Sequence, residues 1–224
     1  MFFGCTGLTF TPKNLLPATK LADYCYAYMF EDCTGLISIS ENLLPAKFLT
    51  KYCYYKMFSD CTNLETIPED LLPATVLADY CYYYMFYGCT NLKNTPASLP
   101  SMKLAKYCYY KMFYNCTSLT TIPENFLPAK KLAIECYYCM FYNCTSLTTI
   151  PENLLPATEL ASNCYYSMFY GCSNLLNTPI NLPAKKLAPY CYEYMFYGCT
   201  SLTTIPENLF SATELANYCY AYMF

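Results

Sequence analysis

Apolar positions return along this chain at a fixed interval. Met-Phe occurs nine times, from Met1-Phe2 through Met85-Phe86 to Met223-Phe224. A leucine closes the phrase Cys-Thr/Ser-x-Leu at Leu8, Leu36, Leu64, Leu92, Leu119, Leu147, Leu175 and Leu202. A further leucine precedes each tyrosine-rich block, at Leu21, Leu49, Leu77, Leu104, Leu132, Leu160, Leu187 and Leu215. The step between equivalent positions is 27 or 28 residues. Self-similarity at a period of this size denotes stacked coils, because one repeat cannot bury its apolar residues alone whereas neighbours stacked on it can. The even repeat predicts one continuous solenoid over residues 1–224, of about eight coils, opening and closing in mid-repeat.

Polar positions punctuate the coil. The residue before the second cysteine of each block is Gly4, Asp32, Asp60, Gly88, Asn115, Asn143, Gly171 or Gly198. Only Gly, Asn and Asp are used, the residues that tolerate positive φ, so a left-handed position is expected there. A stretch such as Leu119-Thr120-Thr121-Ile122-Pro123 reads as a short strand ended by proline. Glu-Asn-Leu-Leu-Pro-Ala then makes a turn. The two short repeats have each lost a residue at this turn, around Ser98-Leu99-Pro100 and Asn181-Leu182-Pro183, as expected of a loop. The segment from Leu-Ala to the second cysteine reads as a short helical or 3₁₀ turn on the opposite side of the coil, with a strand reading competing. The fold class expected is an α/β repeat solenoid with a ladder of short parallel strands.

Seventeen cysteines are present, and sixteen fall in two columns. One reading makes them small apolar residues of a buried ladder. The other makes them disulfides of an oxidising compartment. Within a block the two cysteines are eight residues apart, which a straight helix would separate by about 12 Å, beyond the reach of a bridge. The alternative register joins Cys5 to Cys25, Cys33 to Cys53, Cys61 to Cys81, Cys89 to Cys108, Cys116 to Cys136, Cys144 to Cys164, Cys172 to Cys191 and Cys199 to Cys219, and leaves none of the sixteen over. Cys139 stands outside both columns, unpaired, and is expected to be an exposed thiol, a cross-linking point or merely a tolerated substitution.

The phrase Tyr84-Met85-Phe86-Tyr87-Gly88-Cys89-Thr90-Asn91-Leu92, followed by Thr95-Pro96, resembles the core of the BspA-like leucine-rich repeats of bacterial and protozoan surface proteins. The resemblance recurs along the whole chain. It implies a right-handed leucine-rich-repeat coil and a secreted or surface-attached protein used in adhesion or matrix contact. This chain departs from the usual pattern in its longer repeat and its added cysteine in the Cys-Tyr-Tyr-Tyr-Met-Phe position, so ligand specificity does not carry over.

Composition narrows the function. Net charge is −3, with no Arg and no His. Without a bidentate phosphate reader or a basic stripe, nucleic acid is not an expected partner. No apolar run reaches the ~20 residues of a membrane span. Without His the commonest general base is missing, and no coil carries an acid pair or nucleophile distinct from the repeat background, so no enzyme, cofactor or metal site is expected. Asn115 and Asn143 fit the glycosylation pattern, but their column is better explained by the turn. Twenty-eight tyrosines remain. Tyr54, Tyr55, Tyr82, Tyr83, Tyr109, Tyr110, Tyr137, Tyr138, Tyr165 and Tyr166 would align into ladders, either shielding the coil or forming an adhesive surface. Two functions follow as expectations. One is an extracellular structural rod that stacks head to tail on itself, since no polar cap is evident at either end. The other is an adhesin that grips host or matrix protein through tyrosine.

Overall fold

The computed structural model describes residues 1–224, and the chain is a solenoid. Its core is one cluster of 65 buried residues reaching from Leu16 to Met223. The Met-Phe pairs and the leucines of Cys-Thr/Ser-x-Leu form its spine: Met57, Phe58, Leu64, Met85, Phe86 and Leu92 are wholly buried. Phenylalanines of successive Met-Phe pairs stack face to face from Phe2 to Phe224, with centroids 5.2–5.7 Å apart and planes within 13°. That spacing is one strand-to-strand distance, so each repeat is one coil of the stack. The leucines and alanine of the Leu-Leu-Pro-Ala turn, such as Leu71, Leu72 and Ala74, close the core from the other side. The column Leu21 to Leu215 is less uniform: Leu49, Leu132 and Leu187 are buried, the next coils' leucines are half-buried, and Leu215 is exposed.

Neither helices nor continuous strands form. The expected strand is reduced to isolated parallel bridges, Phe10 to Ser38 and Ser38 to Thr66 on one stretch, and Phe48 to Val76, Lys131 to Glu159, Leu182 to Phe210 and Lys186 to Glu214 on others. Beyond Thr66 the proline of Thr66-Ile67-Pro68 removes the next donor. In the two coils with Asn-Thr-Pro instead, a side chain takes over. The Asn94 amide donates to the Ile67 carbonyl at 2.8 Å and its Oδ1 accepts from the Ile67 N–H at 3.0 Å; Asn177 does the same for Ile150.

The tyrosine-rich segment is a run of overlapping β-turns, not a helix. In the coil around residue 56, Cys53, Tyr55, Met57, Ser59 and Cys61 donate their N–H groups to carbonyls three residues back, at 3.2–3.4 Å. The residues between them, Tyr52, Tyr54, Lys56, Phe58 and Asp60, donate to Asp79, Cys81, Tyr83, Met85 and Tyr87 of the next coil at 2.7–3.4 Å. Alternate donors thus hold the turn and the stack, and each backbone group of the run has a partner. A helix would spend all of its N–H groups within the segment. Positive φ recurs at every fourth residue: Tyr52 (55°), Lys56 (51°) and Asp60 (59°), then Tyr80 (61°), Tyr84 (58°) and Gly88 (70°). Each sits third in its turn, the type II position. The Gly/Asn/Asp column takes the left-handed conformation expected of it throughout. The tyrosines and lysines that share it are unusual, since bulky residues there cost about 1–2 kcal/mol each.

Candidate functional site

The turn run sorts its side chains two in, two out. Cys53 and Tyr54 are buried, Tyr55 and Lys56 half-buried, and Met57 and Phe58 buried again. Stacking repeats this sorting along most of the rod, with Cys139, Ser167 and Glu193 buried at outward positions, and draws the outward tyrosines into ladders on one flank. Tyr24, Tyr52, Tyr80 and Tyr107 stack at 4.5 Å with planes within 8°. Tyr83, Tyr110, Tyr138 and Tyr166 stack at 4.5–4.6 Å. Tyr87, Tyr114, Tyr142 and Tyr170 stack at 4.5–4.9 Å. Between the last two ladders runs the left-handed column Tyr28, Lys56, Tyr84, Lys111, Cys139, Ser167, Tyr194 and Tyr222.

This divides the tyrosines singled out in the sequence. Tyr55, Tyr83, Tyr110, Tyr138 and Tyr166 line the flank. Tyr54, Tyr82, Tyr109, Tyr137 and Tyr165 do not: each is 1% exposed, packed in a second ladder inside the core at 5.6–5.7 Å, and is no contact surface. Adjacent tyrosines point to opposite sides of the turn, which composition alone does not reveal. The ladders at Tyr52 and Tyr87 and the lysines among them were not singled out. Their signal was the recurrence of Tyr at two further fixed offsets.

Charge on the flank is sparse. Lys56 pairs with Glu31 at 2.9 Å. Lys111 lies over three rings, 5.1 Å from the Tyr114 centroid and 5.5 Å from those of Tyr84 and Tyr110, as cation–π attraction favours. Burial, with help from Tyr114 and Tyr170, pushes Tyr142 up to about 12, and burial pushes Tyr110 and Tyr138 further in the same direction. The phenols keep their protons at neutral pH and remain hydrogen-bond donors. Lys13–Glu41, Lys93–Glu65, Lys131–Glu159 and Lys186–Glu214 are exposed coil-to-coil pairs elsewhere and contribute little to stability.

All seventeen cysteines are thiols, and neither bridge register is formed. The stack brings like to like: Cys81 neighbours Cys53 and Cys108, and Cys61 neighbours Cys33 and Cys89. Second-column thiols are otherwise engaged. Cys33, Cys61, Cys89, Cys116, Cys144, Cys172 and Cys199 each donate S–H to the phenylalanine carbonyl of the preceding coil's Met-Phe pair, at 2.9–3.3 Å. For Cys61 the acceptor is Phe30, whose carbonyl also takes the Cys33 N–H. Burial pushes Cys53, Cys191 and Cys199 up to about 12, and Cys81, Cys89, Cys108, Cys116 and Cys136 well above the ordinary thiol value. Cys139 is not the exposed thiol expected: it is 4% exposed, and burial raises it to about 12. No cluster of three or more His, Cys, Asp or Glu side chains converges as a metal site would. The amide of Asn143 donates to Oδ1 of Asn115 at 2.9 Å, so both sequon residues belong to the turn ladder. No helix is long and apolar enough to cross a membrane.

A left-handed turn before each second cysteine, a Phe ladder and a Leu spine at one period are the features of a leucine-rich repeat. The model of the BspA type leucine rich repeat region matches six copies, over residues 13–125 and 79–223, and the chain belongs to that family. No curated protein sequence matches it. Among solved structures it is similar to the leucine-rich repeat protein of T. pallidum, at 22% identity over 69% of this chain and 63% of that one, with a TM-score of 0.38. It is also similar to a leucine-rich cell surface protein of Faecalibacterium prausnitzii, at 17% identity over 76% of this chain and 36% of that one (TM-score 0.34). A leucine-rich repeat protein of Eubacterium ventriosum matches at 14% identity over 87% of this chain and 57% of that one (TM-score 0.40). The chain therefore spans less than two thirds of the length of each.

Proposed function

We propose that this chain is a non-enzymatic protein-binding rod, secreted or held at a cell surface, whose tyrosine-lined flank grips a host or matrix protein. The observation that carries the reading is the outward placement of three parallel tyrosine ladders beyond what the core requires. Phe, Met, Leu and a separate inner tyrosine ladder already fill the interior. Stacked outward rings offer rigid, amphipathic area whose ordering cost has been met before a partner arrives, which is what tyrosine contributes to recognition surfaces. Membership of a repeat family built around extended binding surfaces supports the same reading. The test is surface plasmon resonance of the purified chain over surfaces coated with individual matrix proteins. A triple change of Tyr83, Tyr110 and Tyr138 to Ser is expected to lower binding at least tenfold while circular dichroism stays unchanged. Retention of full binding by that variant would end the proposal.

Head-to-tail self-association into a filament is the second reading. The favouring observation is the sameness of the coil-to-coil interface, whose backbone bonds and ring ladders recur from coil to coil. A surface that matches itself by translation is heterologous, and such contacts propagate without closing. Light scattering and electron microscopy decide it: monodisperse monomer at high concentration removes the filament.

A further inference from the structure

The flank is not uniform along its length. In the left-handed column, two consecutive coils carry Cys139 and Ser167 where Tyr84 and Tyr194 stand elsewhere, and both short side chains are buried. They floor a trough of about 440 Å³. One wall is the stacked pair Tyr138 and Tyr166, at 4.6 Å and 6°, and the other is Tyr142 and Tyr170, at 4.6 Å and 4°. Rings stacked at the coil spacing turn their edges, not their faces, toward the trough. Aromatic edges are electropositive, and these carry phenol donors.

One unmatched charge lines an end of the trough and another lies just beyond the opposite end. Lys111 closes one end. Its Nζ lies over rings, has no carboxylate within ion-pair distance and makes no hydrogen bond. Lys56 stands in the same column and is matched by Glu31 of the preceding coil at 2.9 Å, but the place of Glu31 relative to Lys111 is taken by Tyr87. Tyr194 lines the other end, and just beyond it Glu193 stands next to Tyr166, in that ladder's column of the repeat. It is 8% exposed, and its carboxylate has neither a hydrogen-bond nor an ion-pair partner. Glu135, the remaining acid near this wall, is directed to the Tyr107 hydroxyl. Three coil spacings, about 14 Å, separate Lys111 from Glu193. In an extended chain, residues four apart lie on one face and about 13 Å from each other.

We propose that this trough binds an extended peptide segment of a partner protein that bears an acidic residue and, four positions away, a basic one. The acid meets Lys111, the base meets Glu193, and the side chain midway lies over Cys139 and Ser167. The proposal rests on the protein-binding reading above and names the partner's chemistry.

The probe is acetyl-Glu-Thr-Val-Thr-Lys-amide, titrated into the whole chain at low ionic strength and followed by isothermal calorimetry. Acetyl-Ala-Thr-Val-Thr-Lys-amide is the control. The Glu peptide is expected to bind about fivefold more tightly than the Ala peptide, the scale of one exposed ion pair. Lys111→Ala should erase that preference, and Glu193→Gln should weaken both peptides by a similar factor. Ser167→Tyr supplies the residue the column uses elsewhere, so the chain should fold and the trough should be filled. It is expected to abolish binding of either peptide. Equal affinity for the two peptides, a preference that survives Lys111→Ala, or full binding by Ser167→Tyr would overturn the proposal. So would absence of peptide binding to the unaltered chain. If the matrix-surface binding and its tyrosine dependence persist in that case, the trough alone is lost; if they fail too, the flank reading falls with it.

Discussion

Gly88 and Gly198 occupy equivalent left-handed positions, at φ +70° and +76°. A methyl group at either meets the ordinary cost of an L-residue there, about 1 kcal/mol. At Gly88 it also collides with the Asp60 carboxylate of the preceding coil, whereas at Gly198 it finds only the Gly171 Cα at ordinary contact distance, 3.5 Å. Gly88→Ala should therefore destabilise by about 2–3 kcal/mol and Gly198→Ala by about 1, measured by urea unfolding. Equal losses would mean that Asp60 can move aside. The Gly/Asn/Asp column was legible because a backbone demand selects the residue type. The left-handed tyrosines and lysines were not. Tyr84 and Lys111 are held by stacking and by bonds to the next coil, and neither influence belongs to the residue's own propensity.

Among the elements, the turn run shows where pattern reading reached its end. Its two-in, two-out sorting has a period of four, which over nine residues is hard to tell from the 3.6 of a helix. The difference lies in where alternate N–H groups go, and that depends on a neighbouring coil. The expected strand stretch carries bridges only at Phe10–Ser38 and Ser38–Thr66, none at Leu119–Pro123, and four further bridges lie outside it. Where Asn94 bonds both backbone groups of Ile67, the side chain carries the coil-to-coil contact itself. Asn94→Ala should cost about 1–3 kcal/mol by chemical denaturation, since two backbone groups lose their partner. Asn91→Ala, on an exposed amide with one long contact of 3.4 Å, should cost less than 0.5 kcal/mol.

For the whole molecule, the cysteine columns were legible as ladders, and the sequence left buried thiols and bridges both open. Sequence spacing offers a complete pairing, and the stack sets Cys61 beside Cys33 and Cys89 of its own column. Iodoacetamide under native conditions should label the two exposed thiols, Cys5 and Cys25, and denaturation should release all seventeen, as read by intact mass. Bridges would leave fewer than seventeen. Burial raises the folded-state pKa of the inner thiols, so above the ordinary thiol range the unfolded chain holds fewer protons than the folded one. Stability is then fully present below pH ~8.5 and falls as pH rises from there toward 12, by about 1.4 kcal/mol per pH unit for each buried thiol. Thermal melts at pH 7, 9 and 10 should show a steep drop. A flat profile would mean that the thiols ionise as readily in the fold as out of it.

Alternate amides of the turn run point along the rod, coil to coil, and this sets how the molecule yields to tension. Pulled by its two ends, the stack loads these bonds one layer at a time, so it peels and does not shear. Each released coil frees 27 or 28 residues, about 90–100 Å of contour. An optical trap would record a staircase of nearly equal, low-force steps, and the chain would behave as a reel that lengthens under load and rewinds when slack returns.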